Sequence, residues 1–232
     1  MKEEEIQIHV GDTINGCYKL ILKIAEGENI TVFSALDTSM KQVAIILEKD
    51  NRKQTSICVE SAVLKILDNS NHIPKFYQFG SYNNYKYLAY ELLGPNMIDL
   101  VNFKKPYKFK LHSILKFGIQ AIEAIQIVHN KGFIHQDIKP SNFLIGNTPD
   151  KTGSFYLINF KMCKRITTRD GVVVKPTNES TFQGSLMYAS LNAHKFVDLG
   201  RNDDLMRSDR TIKASLPWSQ ASQMASKTVP LI

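Results

Sequence analysis

His135-Gln136-Asp137-Ile138-Lys139-Pro140-Ser141-Asn142 is the stretch on which the reading of this chain turns. From Asp137 to Asn142 an acid, a base and an amide fall within six residues, punctuated by a proline. Such a segment is a loop built to hold polar groups still. It is followed by a short apolar segment, Phe143-Leu144-Ile145, and preceded by a long helical run. That run, residues 111–130, carries Leu111, Ile114, Leu115, Ile119, Ile122 and Ile125, and also Ala121, Ile127 and Val128. A helix apolar nearly all round is expected to be buried.

Further upstream the pattern changes at Gly94-Pro95-Asn96. Before it, loose alternation from Tyr18 to Ala25 predicts a strand, Glu26-Gly27-Glu28-Asn29 a turn, and Ile30 to Ala35 the returning strand. Asp37-Thr38-Ser39 makes the next turn, and Gln42 to Leu47 a third strand, apolar on both faces in its middle. Residues 55–69 switch to helical spacing, with Ile57, Glu60, Leu64 and Leu67 near one stripe. Lys75–Tyr82 and Tyr85–Leu92 read as a hairpin closed by Asn83-Asn84, because asparagine tolerates positive φ. Residues 1–17 read as a polar lead-in. Downstream of the central loop, Phe155 to Ile158 is a short strand and residues 166–185, rich in Thr, Gly and Asn, a mobile loop. After Leu205 the apolar pattern weakens, apart from Leu216-Pro217-Trp218.

At 232 residues the chain suits one large domain or two small lobes. With 43% hydrophobic and 22% charged residues it is globular in composition and not disordered. The net charge of +7 comes without a dense Lys/Arg block, so it reads as a solubility feature, and no specific nucleic-acid partner is expected. Cys17, Cys58 and Cys163 are odd in number and lack metal-ligand spacing, which suits a reducing compartment. The start, Met1-Lys2-Glu3-Glu4-Glu5, is no signal peptide, and no apolar run is read as reaching membrane-spanning length. A cytoplasmic or nuclear protein without a membrane role is expected.

Four segments carry a family resemblance: Phe133 to Phe143 around the central loop, Glu91-Leu92-Leu93-Gly94-Pro95, Tyr188 to His194, and Gly200-Arg201-Asn202-Asp203-Asp204-Leu205. Together they resemble serine/threonine protein kinases of the casein kinase I group, most closely the tau-tubulin kinases. Ser190-Leu191-Asn192 stands where other kinases have Ala-Pro-Glu, as in that group. The central loop is similar to the kinase catalytic loop, His-Arg-Asp-x-x-x-x-Asn. The resemblance covers about residues 18–205 and implies an α+β, two-lobed kinase-like fold. A small lobe of five antiparallel strands and one helix would occupy 18–93, and an incomplete, mainly helical large lobe 94–205. An extension at 1–17 and a divergent tail at 206–232 would flank them.

By that resemblance Asp137 is the base for a substrate hydroxyl, Lys139 offsets charge on the transferred phosphoryl, and Asn142 is a magnesium ligand. Ile24, Val32, Ala44, Ile46, Leu92, Leu93, Asp99, Leu144 and Ile158 fall at nucleotide-contacting positions. Of these, Ala44 and Leu144 are the ceiling and floor around adenine, Leu92 and Leu93 sit in the hinge, and Asp99 stands at a ribose-contacting position. Glu60 matches the helix glutamate that pairs with a strand lysine, and Asp204 the aspartate that steadies the catalytic loop.

The departures weigh more. Val43-Ala44-Ile45-Ile46 ends in isoleucine where an active kinase has the phosphate-contacting lysine, so Glu60 loses its usual partner. Asp-Phe-Gly has become Asn159-Phe160-Lys161. Asn159 offers magnesium no negative charge, and Lys161 adds a positive one. The glycine-rich loop keeps only Gly27, with Ala25 and Ile30 in the other positions, and Gln136 replaces the loop arginine. One charge contact at about 4 Å and an effective dielectric of about 20 is worth roughly 4 kcal/mol. That is roughly three decades of rate. The expectation is therefore a pseudokinase, with ATP and magnesium binding weak or vestigial, acting as a binding or scaffold protein for a protein partner. The alternative is an active or weakly active ATP-dependent serine/threonine kinase. Met206-Arg207-Ser208-Asp209-Arg210 is expected to interrupt the helix that follows Leu205. With later helices missing, parts of the 111–130 helix should be left uncovered.

Overall fold

The computed structural model describes residues 7–50, 55–103, 109–166, 168–169, 172–173, 181–182 and 184–215. These form two compact units, one within residues 1–68 and 74–93, the other within 69–73 and 94–232.

The first unit is an antiparallel sheet with one helix. Its elements are β1 (Thr13–Ile14), β2 (Tyr18–Glu26), β3 (Ile30–Leu36), β4 (Gln42–Lys49), α1 (Ser56–Leu67), β5 (Phe76–Tyr82) and β6 (Tyr85–Glu91). The strand order is β1-β2-β3-β4-β6-β5. Period-two alternation puts Val43, Ile45 and Leu47 of β4 into a core with Leu20, Phe33, Tyr87 and Ala89. Ala44 and Ile46, on the opposite face, are buried too, so β4 is apolar on both sides, as its sequence implied. The turns follow side-chain chemistry. Asp37 Oδ1 accepts the backbone N–H groups of Ser39 (2.8 Å) and Lys41 (2.9 Å), and Asn83 takes φ +50° in the β5–β6 hairpin. The lead-in is not wholly polar coil. Ile14 of β1 is fully buried in the core, and Gly11 (φ +100°) and Gly16 (φ +67°) bend the chain on either side of it. α1 buries the predicted stripe Ile57, Glu60, Leu64 and Leu67. Its first turn is held by Glu48 of β4, whose carboxylate accepts the N–H groups of Ser56 (3.2 Å) and Ile57 (2.8 Å).

The second unit contains α2 (Met97–Asn102), α3 (Leu111–Asn130), β7 (Phe133–Ile134), β8 (Phe143–Ile145), β9 (Phe155–Leu157), β10 (Lys164–Arg165), β11 (Thr168–Arg169), β12 (Val172–Val173), α4 (Leu191–His194) and α5 (Arg201–Ser215). Among the described residues three short antiparallel ladders form: β8 with β9, β7 with β10, and β11 with β12. Phe117 of α3 meets Phe143 and Phe155 edge-on, at centroid distances of 5.1 and 5.0 Å, which fastens the β8–β9 hairpin to the helix. Much of the loop expected over 166–185 lies outside the described residues, as does Leu216-Pro217-Trp218.

Two expectations about helices are corrected. α3 is not buried all round. Ile114, Phe117, Ala121, Ala124, Ile125 and Val128 are buried, while Leu111, Leu115, Ile119 and Ile122 form an exposed stripe, the uncovered surface foreseen for part of this helix. α3 is also long and apolar enough to cross a membrane by length and composition, contrary to the sequence reading. Its inner face packs as a core helix does. The second correction concerns residues 206–210, where charge does not interrupt the helix. α5 runs unbroken to Ser215 with a polar buried face, Asp203, Asp204, Arg207, Ser208 and Thr211, on which the charges of Asp204 and Asp203 favour that of Arg207. Leu205 and Met206 are exposed instead.

Candidate functional site

The central loop leaves β7, turns at Gln136 (φ +69°), and ends in a single 3₁₀ turn, Pro140–Asn142, that leads into β8. Its backbone is tied down from below by the first turn of α5. The fully buried Asp204 accepts the N–H of His135 (2.7 Å) and of Gln136 (2.9 Å), and it also meets His129 Nε2 at 2.9 Å. The ring of His135 makes two bonds of opposite sense. Nε2–H donates to the Ile158 carbonyl at 3.0 Å, and Nδ1 accepts the Asp137 N–H at 3.2 Å. Burial pushes the His135 pKa down, against the pull of Asp204.

Four donors converge on the buried carboxylate of Asp137. Lys139 Nζ lies 2.9 Å, Asn142 Nδ2 3.2 Å and Asn159 Nδ2 3.4 Å from Oδ2, while the Ser185 hydroxyl donates to Oδ1 at 3.1 Å. Ser185 Oγ in turn accepts from Lys139 Nζ at 2.8 Å. The amide orientations follow from chemistry. A carboxylate only accepts, so Asn142 and Asn159 must each turn nitrogen toward it. Asn142 Nδ2 also donates to the Asp137 carbonyl at 2.7 Å, and Asn159 Nδ2 to Asn142 Oδ1 at 3.2 Å. Asn159 reaches this position from a left-handed backbone (φ +70°, ψ +59°), which asparagine tolerates better than most residues.

The two residues assigned to magnesium are therefore brought together, but as partners of each other. A divalent cation of this type needs oxygen lone pairs. Here Asn159 presents amide hydrogens to the centre, and the Asn142 oxygen already accepts one of them. Among the described residues no group of three or more His, Cys, Asp or Glu side chains could hold a metal. The Asn142 oxygen keeps a second lone pair, so for both residues to hold the ion Asn159 would have to turn its own oxygen inward.

The other positions divide between the units. In the first, Val32 lies directly across the ladder from Ile46, Ala44 and Leu93 are buried, Leu92 is half-buried, and Ile24 is exposed beside a register shift in β2. Gly27 closes the β2–β3 turn, its N–H bonded to the Ile30 carbonyl at 2.8 Å. A Cβ there would make only ordinary contact, so this turn no longer depends on glycine. Glu60 is buried near Tyr90, whose phenol is pushed up by burial and then by the Glu60 charge. In the second unit, Asp99 is the third residue of a capping box. Its carboxylate accepts the Asn96 N–H at 3.4 Å, and Asn96 Oδ1 accepts those of Ile98 and Asp99. Leu144 bridges to Asn96 and is half-buried, as is Ile158, and Lys161 is exposed.

Ser185 was not anticipated. It lies 48 residues from Asp137 in the sequence, and its signal was its place just ahead of the Tyr188–His194 segment.

The protein kinase domain family model matches residues 18–192. A probable serine/threonine-protein kinase of Dictyostelium discoideum is 38% identical over 221 residues, which cover 93% of this chain and 44% of that protein. The chain thus spans less than half the length of this relative.

Proposed function

Because this chain belongs to the protein kinase family, we propose that it is a catalytically impaired, pseudokinase-like member of the casein kinase I group, akin to the tau-tubulin kinases, that acts by binding a protein partner. The observation that carries the reading is the Asn159 amide, which donates to Asp137 Oδ2 and to Asn142 Oδ1. An aspartate there could donate to neither. Asparagine turns a repulsive pair of carboxylates into a hydrogen-bonded set and occupies one of the two lone pairs of the Asn142 oxygen. Ile46, buried in β4, removes the other grip on phosphate. Phosphoryl transfer depends on positioning and on stabilising charge, so losing both leaves the base with little to act on. The group assignment draws on Ser190-Leu191-Asn192, where the buried Ser190 caps α4 by accepting the Ala193 N–H at 3.3 Å. A cytoplasmic or nuclear location accompanies the proposal.

The largely apolar adenine positions leave weak ATP binding in place, with little contribution from magnesium. A thermal-shift titration tests this, because a ligand of the folded state raises its stability by mass action. ATP should give a small rise in melting temperature that added magnesium does not enlarge. A large magnesium-dependent rise would sink the reading. One observation favours a second reading, a weakly active serine/threonine kinase: the Ser185 hydroxyl on Asp137 Oδ1 is a geometry in which the carboxylate already holds a hydroxyl. Phosphate transfer by the unmodified chain that disappears in Asp137→Asn would establish that activity.

A further inference from the structure

Among the described residues Arg207 is the largest fully buried side chain. It sits on α5 one turn beyond Asp204, the residue that grips the central loop. Its guanidinium lies against Gly184, which takes φ +93°. A Cβ on Gly184 would collide with Arg207 Nη1 and would lie 2.6 Å from the Gln136 carbonyl oxygen. The guanidinium, Gly184 and the backbone of Gln136 therefore crowd one spot beneath the loop, next to Ser185.

The charges nearby call for a cation. Asp137, Asp203 and Asp204 are all buried. Asp137 has Lys139, whereas among the described residues Asp203 accepts from neutral donors, Asn192 (3.3 Å) and the Gly200 N–H (2.7 Å). Buried carboxylates without a balancing charge are strongly disfavoured. Burial pulls the Arg207 pKa down, while Asp204 first, then Asp137 and Asp203, push it back up. Arg210, the next basic residue of α5, is engaged elsewhere, on the Ala189 carbonyl.

We propose that Arg207 is a positioning residue: from α5 it supplies the buried positive charge that the loop lacks at Gln136, and it thereby keeps Asp204 bonded to His135 and Gln136 and Asp137 in line. The proposal rests on reading this loop as the functional site. Its test uses no nucleotide, so its failure would be separate from a failure of the pseudokinase reading.

Amide hydrogen exchange of the full chain measures the grip directly, because the His135 and Gln136 N–H groups are the ones Asp204 holds. Arg207→Met keeps most of the volume and removes the charge. It should lower protection of these two amides by roughly tenfold relative to the β3–β4 ladder. Arg207→Lys, which keeps the charge, should retain most of it. Gln136→Arg should restore protection in the Arg207→Met background and weaken it in the unmodified chain, where two buried cations would compete. An Arg207→Lys chain as unprotected as Arg207→Met would overturn the proposal, as would a Gln136→Arg effect of the same sign in both backgrounds. Should Arg207→Met fail to fold, Arg207→Lys decides: folded with protected loop amides supports the charge role, and unfolded or unprotected refutes it.

Discussion

The imidazole of His135 is committed to its neutral form, because Nδ1 accepts the Asp137 N–H while Nε2 donates to Ile158. A proton on Nδ1 would set two donors against each other. The folded pKa is accordingly lowered, whereas the unfolded chain has an ordinary value of about 6.5. Below that pH the unfolded state binds more protons than the folded one, so the stability contributed by the neutral ring is complete above about pH 6.5 and is lost as pH falls through it. Urea midpoints measured between about pH 7 and pH 5 should fall with acidity, and the slope should be shallower in His135→Gln. Parallel slopes in the two chains would mean that the ring is not held neutral. At this scale the sequence was informative about identity and silent about partners. Asp137, Asn142 and Asn159 could be picked out by their order, but that the Asn159 amide would donate to both of the others depends on side-chain rotation, which no spacing encodes.

The elements divide by the physics that makes them. β2 to β6 and α1 were legible because their burial is apolar and leaves a period of two or of 3.6 in the sequence. β1 was not, since two residues carry no period. α5 was misread for a stronger reason. Its inner face is Asp203, Asp204, Arg207, Ser208 and Thr211, so hydrophobic periodicity gives no sign of it. Such a face should be improvable. Thr211 Oγ1 is buried and has no hydrogen-bond partner among the described residues. An unsatisfied buried hydroxyl costs about 1–3 kcal/mol, and valine matches threonine in shape and in helix propensity. Thr211→Val should therefore raise stability by about 1 kcal/mol, seen as a higher urea midpoint at unchanged slope. A fall in the midpoint would mean that the hydroxyl is satisfied after all, for example by an ordered water.

At the scale of the whole molecule, the two departures that matter most lie in different units, Ile46 in the first and Asn159 in the second. In the family chemistry the lysine holds phosphates and the aspartate holds the metal that neutralises them, so each is of little use without the other. Repair should then be strongly non-additive. Ile46→Lys alone buries a cation in a strand whose two faces are apolar and should chiefly lower stability. Asn159→Asp alone sets a carboxylate where an amide now donates to Asp137 at 3.4 Å, so it too should destabilise the chain until magnesium is added. In the double variant, magnesium and ATP together should raise the melting temperature more than the sum of their separate effects. Phosphate transfer to an acidic protein such as casein should appear and vanish on Asp137→Asn. Lys161→Gly should increase it further, by removing an exposed cation two residues from Asn159. A double variant that folds and binds magnesium but transfers nothing would move the principal defect to other departures, with Ile30 at the start of β3 the first to be reverted.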